Sequence, residues 1–498
     1  MPGMTTKVVR GSLWTMAGQV LPLLVSLVTS PIVIRLLGAE AYGAMLLVVL
    51  IPGYLTFADF GMGMASTKFG SSAFGRGQPD EEAGIIRLAA VVAFVSVVIF
   101  TIPIFLGSYW IVTWLNVPEH LRGQASIALK ITTAALIFTV LSTVLNSPLL
   151  ARLRMDLNTL ANAVPRSLMS IGIVAVFALG GTLSEAMTMV LLAAIVTFAC
   201  IIFFSGRLLP QLYGTRLDRT SFRPMMKFGA GWVMACLAGV PVVNLEKIAL
   251  SGMVSVASLA YYSVAFTLAS MATLFAGAML QSLVPAFAQL LTPDKRGEFD
   301  MLFSRGIRLN VVWLLPAVTC LFVFARPFFT IWAGEDFGRE STEPFYFLLF
   351  GLFFNIIAYI PHSAIMAFGH TEVFAKLYWI ELPIYAALVF WLIGAYGITG
   401  AAAAWSLRVI LDTLAIIWLS KRYAGISFRF TDHFGAFLLA AAVLVPPAVY
   451  TAIFGLTIVI VPLMLLSLAV YAVVVWKFIA SDAERVWFGS KLHAVLAR

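Results

Sequence analysis

Fourteen stretches of this chain are apolar for about the 20 residues that a helix needs to cross the hydrocarbon core of a bilayer. They lie at about 11–37, 41–65, 84–106, 126–150, 161–181, 185–205, 226–250, 259–283, 306–326, 345–368, 374–395, 399–420, 435–454 and 458–479. Only 11% of the residues are charged and the mean hydropathy is +0.99, whereas a soluble domain carries roughly a quarter charged residues. The sequence predicts an all-α integral membrane protein with about 14 transmembrane helices. A cleavable leader is not expected, because the first apolar run is long and lacks a small-residue cleavage site.

The chain also echoes itself. Gly11-Ser12-Leu13-Trp14 recurs as Gly229-Ala230-Gly231-Trp232, Ala41-Tyr42 as Ala260-Tyr261, and Trp114 as Trp332. Ala151-Arg152-Leu153-Arg154-Met155-Asp156 has a looser echo in Ala367-Phe368-Gly369-His370-Thr371-Glu372. The common offset of about 218 residues reads as an internal duplication, an organisation of alternating-access transporters. The expected domains are an N-lobe over 1–220 (helices 1–6), a C-lobe over 221–434 (helices 7–12), and helices 13–14 with a tail over 435–498. Six helices per copy is an even number, so both copies enter the membrane from the same side.

The net charge of +9 reports topology, not nucleic-acid binding, because Lys and Arg are excluded from translocated loops. With the N-terminus inside, most basic residues fall on the cytoplasmic side, including Lys7, Arg10, Arg207, Arg216, Arg219, Arg223, Lys227, Lys295, Lys421, Arg422 and Arg485. The expected orientation therefore has both termini cytoplasmic. Cys200, Cys236 and Cys320 lie inside apolar runs without motif spacing and read as small core hydrophobes.

No catalytic or metal-ligating signature appears. The five His residues, at 120, 362, 370, 433 and 493, match no metal-binding spacing, so no metal and no cofactor are expected. Asp59-Phe60-Gly61 spells a kinase magnesium motif by chance, and the small residues of Gly61-Met62-Gly63 are expected to let helices approach closely. Charges inside the spans carry more weight, since each costs on the order of 2.5–3.5 kcal/mol at the centre of a helix. Lys130, Arg166, Lys247 and Arg408 are the candidate contacts for an anionic substrate. Arg35, Asp59, Glu246, Glu381 and Asp412 are the candidates for gating or coupling, with H+ or Na+ as the coupling ion. Arg408 and Asp412 stand at i, i+4, a spacing that allows a direct ion pair. Pairing of the cations with Asp59, Glu246, Glu381 and Asp412 explains them as well as a substrate does, and both readings stay open at this point.

Arg10-Gly11-Ser12-Leu13-Trp14, Gly18-Gln19 and Arg35-Leu36-Leu37-Gly38-Ala39-Glu40-Ala41-Tyr42-Gly43 resemble the opening of the polysaccharide-biosynthesis flippases of the MOP superfamily. Asp59-Phe60-Gly61-Met62-Gly63 with Lys68, and Gly334-Glu335-Asp336-Phe337 after Trp332, are similar to the same family. The resemblance implies a V-shaped bundle of two six-helix lobes plus two C-terminal helices, and no enzymatic reaction. It implies a protein of the bacterial inner membrane that moves a polyprenyl-diphosphate-linked oligosaccharide. The partners would be that substrate, membrane lipids, a polysaccharide polymerase and export machinery. Lipid II flippases are similar but carry arginine within helix 1, where this chain has Gln19; multidrug exporters often place an acid there, and this chain has none. A MATE-like exporter of small cations is the nearest alternative. A membrane glycosyltransferase or polymerase is a third, with only Glu119, His120, Glu335, Asp336, Glu340 and Glu343 to offer in its outer loops.

Overall fold

The computed structural model describes residues 2–273, 293–370, 372–426 and 431–479, with Leu283, Phe287 and Leu290 between the first two. Among them every regular element is helical. In chain order the α-helices are α1 (Pro2–Gly53), α2 (Met62–Gly75), α3 (Pro79–Trp114), α4 (Glu119–Leu145), α5 (Ser147–Ala151), α6 (Met155–Ala178), α7 (Leu183–Leu208) and α8 (Phe222–Met253). They continue as α9 (Val256–Ser270), α10 (Arg296–Ala333), α11 (Glu335–Glu340), α12 (Thr342–Ala367), α13 (Glu372–Ala424), α14 (Thr431–Phe454) and α15 (Ile460–Val474).

Among the described residues, 10 helices are long and apolar enough to cross a membrane. The difference from fourteen has identifiable causes. The first and second apolar runs share α1, which bends at Gly38 (φ 73°), and the eleventh and twelfth share α13, which bends at Gly397 (φ 56°). Only glycine enters these backbone regions at little steric cost. The eighth run holds the short α9 and then extends beyond the described residues, and the thirteenth contributes only the short apolar stretch Leu438–Thr451. The Gly180-Gly181 junction does separate two helices. Thr182 caps α7, accepting from the Glu185 N–H, while the Glu185 carboxylate accepts from the Thr182 N–H at 2.7 Å. This reciprocal pairing stops the two apolar runs from fusing.

The second apolar run is not one helix, as its hydropathy suggested. A 3-10 turn over Tyr54–Asp59 ends at Phe60 (φ 54°) and Gly61 (φ 70°), and α2 begins afresh at Met62.

Three backbone breaks recur along the chain. Positive-φ residues stand at Asn116 and Gly334, at Leu153 and Gly369, and at Gly180 and Gly397. Each pair is about 217 residues apart, the offset of the sequence landmarks, as expected when one helical plan is used twice.

By packing, the chain divides into two compact units, Met1–Ala260 and Tyr261–Arg498. The first unit is built on small residues. Ala58, Ala65, Ala73, Ala83, Ala89 and Ala93 are all fully buried, so the helices can approach closely and gain dispersion contacts where lipid supplies no hydrophobic drive. Hydroxyls tie the same region together: Ser147 Oγ donates to the Ser66 carbonyl at 2.9 Å and Ser205 Oγ to the Leu145 carbonyl at 2.7 Å. Glu82, with no exposed surface, receives a two-pronged ion pair from Arg152 at 2.6 and 3.0 Å. The lobes read from the repeat divide at 220, whereas this packing unit also takes in α8. Asn116 Nδ2 donates to the Gly252 carbonyl at 2.6 Å, Ser251 Oγ donates to the Leu115 carbonyl at 2.7 Å, and Gly229 packs on the Phe60 carbonyl. In the second unit α10, α12 and the hairpin α13 surround a core that includes Phe299, Phe303, Ile307 and Ile360.

Candidate functional site

The fold-back at Gly397 positions the principal charge cluster. Glu381 and Asp412 are nearly equidistant from that bend on the two arms of α13. At 1.5 Å per residue both lie roughly 23 Å from it, so the antiparallel arms bring them to one level. Their carboxyl groups are close enough to feel each other's charge. Arg408 Nη1 pairs with Glu381 Oε2 at 3.3 Å, and its guanidinium stands over the Tyr385 ring, 5.3 Å from the centroid. All three charged residues are buried, Glu381 and Asp412 to 8% exposure and Arg408 to 9%. Among the described residues the ion pair of Arg408 runs across the hairpin to Glu381, and not to its i, i+4 neighbour Asp412. One guanidinium faces two carboxyls, so the trio is neutral when it holds one proton and anionic when it holds none. That is a group able to take up and release a single cation.

The first copy of the repeat has no equivalent trio. At the offset of about 217, Glu381, Arg408 and Asp412 correspond to Val164, Leu191 and Ile195. A shift of one residue either way gives Ala163 or Pro165, Val190 or Leu192, and Ala194 or Val196, all apolar. The same helical hairpin therefore forms from α6 and α7 without buried charge. Charge that the fold does not need, kept at a cost in the membrane, points to function.

Asp412 also borders a cavity of about 230 Å³, lined with it by Asn355, Tyr359 and His362 of α12 and Tyr378 of α13. The His362 ring stacks on Phe374 with centroids 3.9 Å apart. His362 fits no metal-binding spacing in the sequence. The readable signal was the stripe Asn355-Tyr359-His362, polar residues at i, i+4 and i+7 that share one helix face.

The remaining candidates lie in the first unit, in unlike surroundings. Lys130 Nζ stands 5.5 Å from the centroid of the Phe105 ring. Arg166 and Arg35 are exposed. Lys247 Nζ donates to Asn244 Oδ1 at 2.8 Å, the Asn244 carbonyl accepts from Tyr54 Oη at 2.8 Å, and neighbouring Glu246 is fully buried. An apolar cavity of about 410 Å³ adjoins this group, walled by Tyr54, Phe57, Trp114, Leu237, Pro241 and Ile248 among others. Asp59 is engaged in capping: its two carboxylate oxygens accept from the Gly61 N–H at 2.8 Å and the Gly63 N–H at 3.0 Å. These bonds satisfy donors freed at the start of α2. Phe60 and Gly61 are the left-handed residues of the break, which explains Asp59-Phe60-Gly61-Met62-Gly63 better than helix proximity alone. Among the described residues no group of His, Cys, Asp and Glu is arranged to hold a metal ion.

Residues 8–291 match the model of a protein family described as polysaccharide biosynthesis protein. A candidate O-antigen transporter of Shigella flexneri is 24% identical over 422 residues, which covers 84% of this chain and 99% of that protein. Among solved structures, the lipid II flippase MurJ in an inward closed conformation matches with a TM-score of 0.70 at 15% identity, over 94% of this chain and 98% of that one. An inward-facing MATE family transporter of the MOP superfamily matches with a TM-score of 0.69 at 12% identity, over 82% of this chain and 98% of that one. At these identities the structural matches establish a shared fold.

Proposed function

Because the chain belongs to the polysaccharide biosynthesis protein family, we propose that it is a flippase for a polyprenyl-diphosphate-linked oligosaccharide in the bacterial inner membrane. The family match carries this reading, since the fold alone is shared by lipid flippases and multidrug exporters. The candidate O-antigen transporter matched over nearly its whole length supports it. In this reading fourteen helices cross the membrane with both termini in the cytoplasm, and lobes over 1–220 and 221–434 alternate access as a V-shaped bundle.

The physical task is to carry hydroxyls past hydrocarbon. Each hydroxyl moved out of water without a partner costs about 1–3 kcal/mol by mutational measures, so an unassisted oligosaccharide meets a barrier of tens of kcal/mol. A polar path through the protein removes that barrier while the polyprenyl chain stays in lipid. Lys130, Arg166 and Lys247 are the basic groups that would contact the diphosphate in this reading. Arg408, tied to Glu381, serves the coupling trio instead. The trio exchanges a proton, or admits Na+, as the lobes alternate. Transport then follows an ion gradient and needs no catalysis. A polymerase and export machinery would receive the product.

The reading is tested in cells that lack the gene. Newly made lipid-linked glycan should stay on the cytoplasmic leaflet, out of reach of an external lectin, and reappear outside when the gene is restored. Normal glycan exposure combined with new sensitivity to cationic drugs would refute the flippase in favour of the exporter.

A further inference from the structure

The cavity beside Asp412 has a composition that neither a diphosphate nor a coupling cation explains. Asn355, Tyr359 and His362 turn one face of α12 toward it, and Tyr378 and Asp412 complete its wall. No Lys or Arg lines it, and Arg408 is directed to Glu381. An anion in the cavity would therefore meet a carboxyl on the wall and no cationic side chain beside it. Asp412 is the one charged group on the wall, and the amide, phenols and imidazole around it are more than the exchange of a single cation by the trio requires. The wall instead offers an amide, two phenols, an imidazole and a carboxyl, a mixture of hydrogen-bond donors and acceptors set among aromatic faces. His362 Nδ1 and Asp412 Oδ1 have no hydrogen-bond partner among the described residues. The His362 ring is fixed by its stack on Phe374, so its orientation is set before any ligand arrives.

The size narrows the ligand. The cavity volume of about 230 Å³ is several times the roughly 30 Å³ share of a water molecule. It is below the roughly 300–1,000 Å³ of sites for drug-sized ligands. One ring-sized molecule fits. A ligand that is ring-sized, neutral, rich in hydroxyls and apolar on its C–H faces is a sugar.

We propose that this cavity is a subsite for a single neutral sugar ring of the transported glycan. The inference rests on the flippase reading and adds selectivity to it: the pocket favours neutral residues over uronates at the position of the glycan that it grips.

Binding is tested on the full-length protein in nanodiscs by saturation-transfer NMR, with methyl glucoside, N-acetylglucosamine and glucuronate as probes. The neutral sugars should receive saturation from the wild-type protein and glucuronate should not. Asn355→Leu should abolish the signal. Tyr378→Phe, which removes one hydroxyl and keeps the ring, should weaken binding about fivefold, the loss of a single hydrogen bond. Unchanged thermal unfolding shows that each variant is folded, and the conservative Tyr378→Phe decides the matter if Asn355→Leu is not. Equal signals from neutral and anionic sugars, no signal from either, or signals indifferent to both variants would overturn the subsite. Glycan exposure on cells, assayed in parallel, keeps the two readings apart. If exposure is normal and no sugar-specific signal is found, the subsite fails and the flippase stands. If sugar binding behaves as expected but exposure does not depend on the gene, the flippase fails and the subsite stands.

Discussion

Removing Arg408 alone and removing the whole Glu381–Arg408–Asp412 trio should have opposite effects on stability. At the 3.3 Å separation of Arg408 and Glu381, an effective dielectric constant of about 20 gives an attraction of ~5 kcal/mol. Breaking such a buried pair from one side costs about 3–5 kcal/mol, because an uncompensated charge is left where water cannot reach it. Replacing every member by apolar groups of similar volume is often neutral or stabilising. The repeat supplies the replacements, since Val164, Leu191 and Ile195 fill the corresponding places in the first copy. Arg408→Leu should lower the unfolding temperature sharply, leaving two carboxyls facing one another. Glu381→Gln should be milder, because Asp412 stays near the guanidinium. Combined Glu381→Val, Arg408→Leu and Asp412→Ile should unfold close to the wild-type temperature yet expose no glycan in cells. Unfolding can be followed in detergent by the fluorescence of the 12 Trp residues. A triple variant as unstable as Arg408→Leu would make the trio architectural, and a stable triple variant with normal transport would make it idle. Either result refutes the functional assignment.

Three further outcomes follow from contacts in the first unit. Asp59→Ala deletes both hydrogen bonds at the start of α2 and should destabilise by about 1–2 kcal/mol, read as a lower unfolding temperature; Asp59→Asn keeps an acceptor and should lose less. Gly229→Ala places a methyl 2.1 Å from the Phe60 carbonyl oxygen, so α8 must move off the break, at a cost of about 1–3 kcal/mol; an unfolding temperature equal to wild type would show that the contact is slack. Arg87 donates to the Gln211 and Arg216 carbonyls and so binds the connector between α7 and α8 to α3. Arg87→Lys cannot span both carbonyls, and trypsin should then cut after Arg216 or Arg219 faster than in wild type; equal cleavage rates would refute the clamp.

Much of the fold was legible because the bilayer imposes a length on each helix, and the apolar runs lie close to the observed elements. The second run misled because hydropathy is blind to backbone breaks: 41–65 is apolar throughout, yet it is interrupted over 54–61. The signal for the break was present in Asp59-Phe60-Gly61, an acid followed within two residues by a glycine, which is cap chemistry. The candidate site was legible as residues but not as partners. Spacing along one helix permitted Arg408–Asp412, and periodicity says nothing about which arm lies opposite. The fold-back decided the pairing. A boundary between the eleventh and twelfth runs near 397 places Glu381 and Asp412 at equal distance from the turn, which predicts their meeting without any knowledge of side-chain packing. Lys130, Arg166 and Lys247 offered no such geometric handle. Lys130 meets Phe105 of the preceding helix, Lys247 meets Asn244 one turn away on its own helix, and Arg166 is exposed, so among the described residues none stands opposite an acid across a bend. Buried charges on two arms of one hairpin can be matched by counting from the bend, and those spread over separate helices cannot.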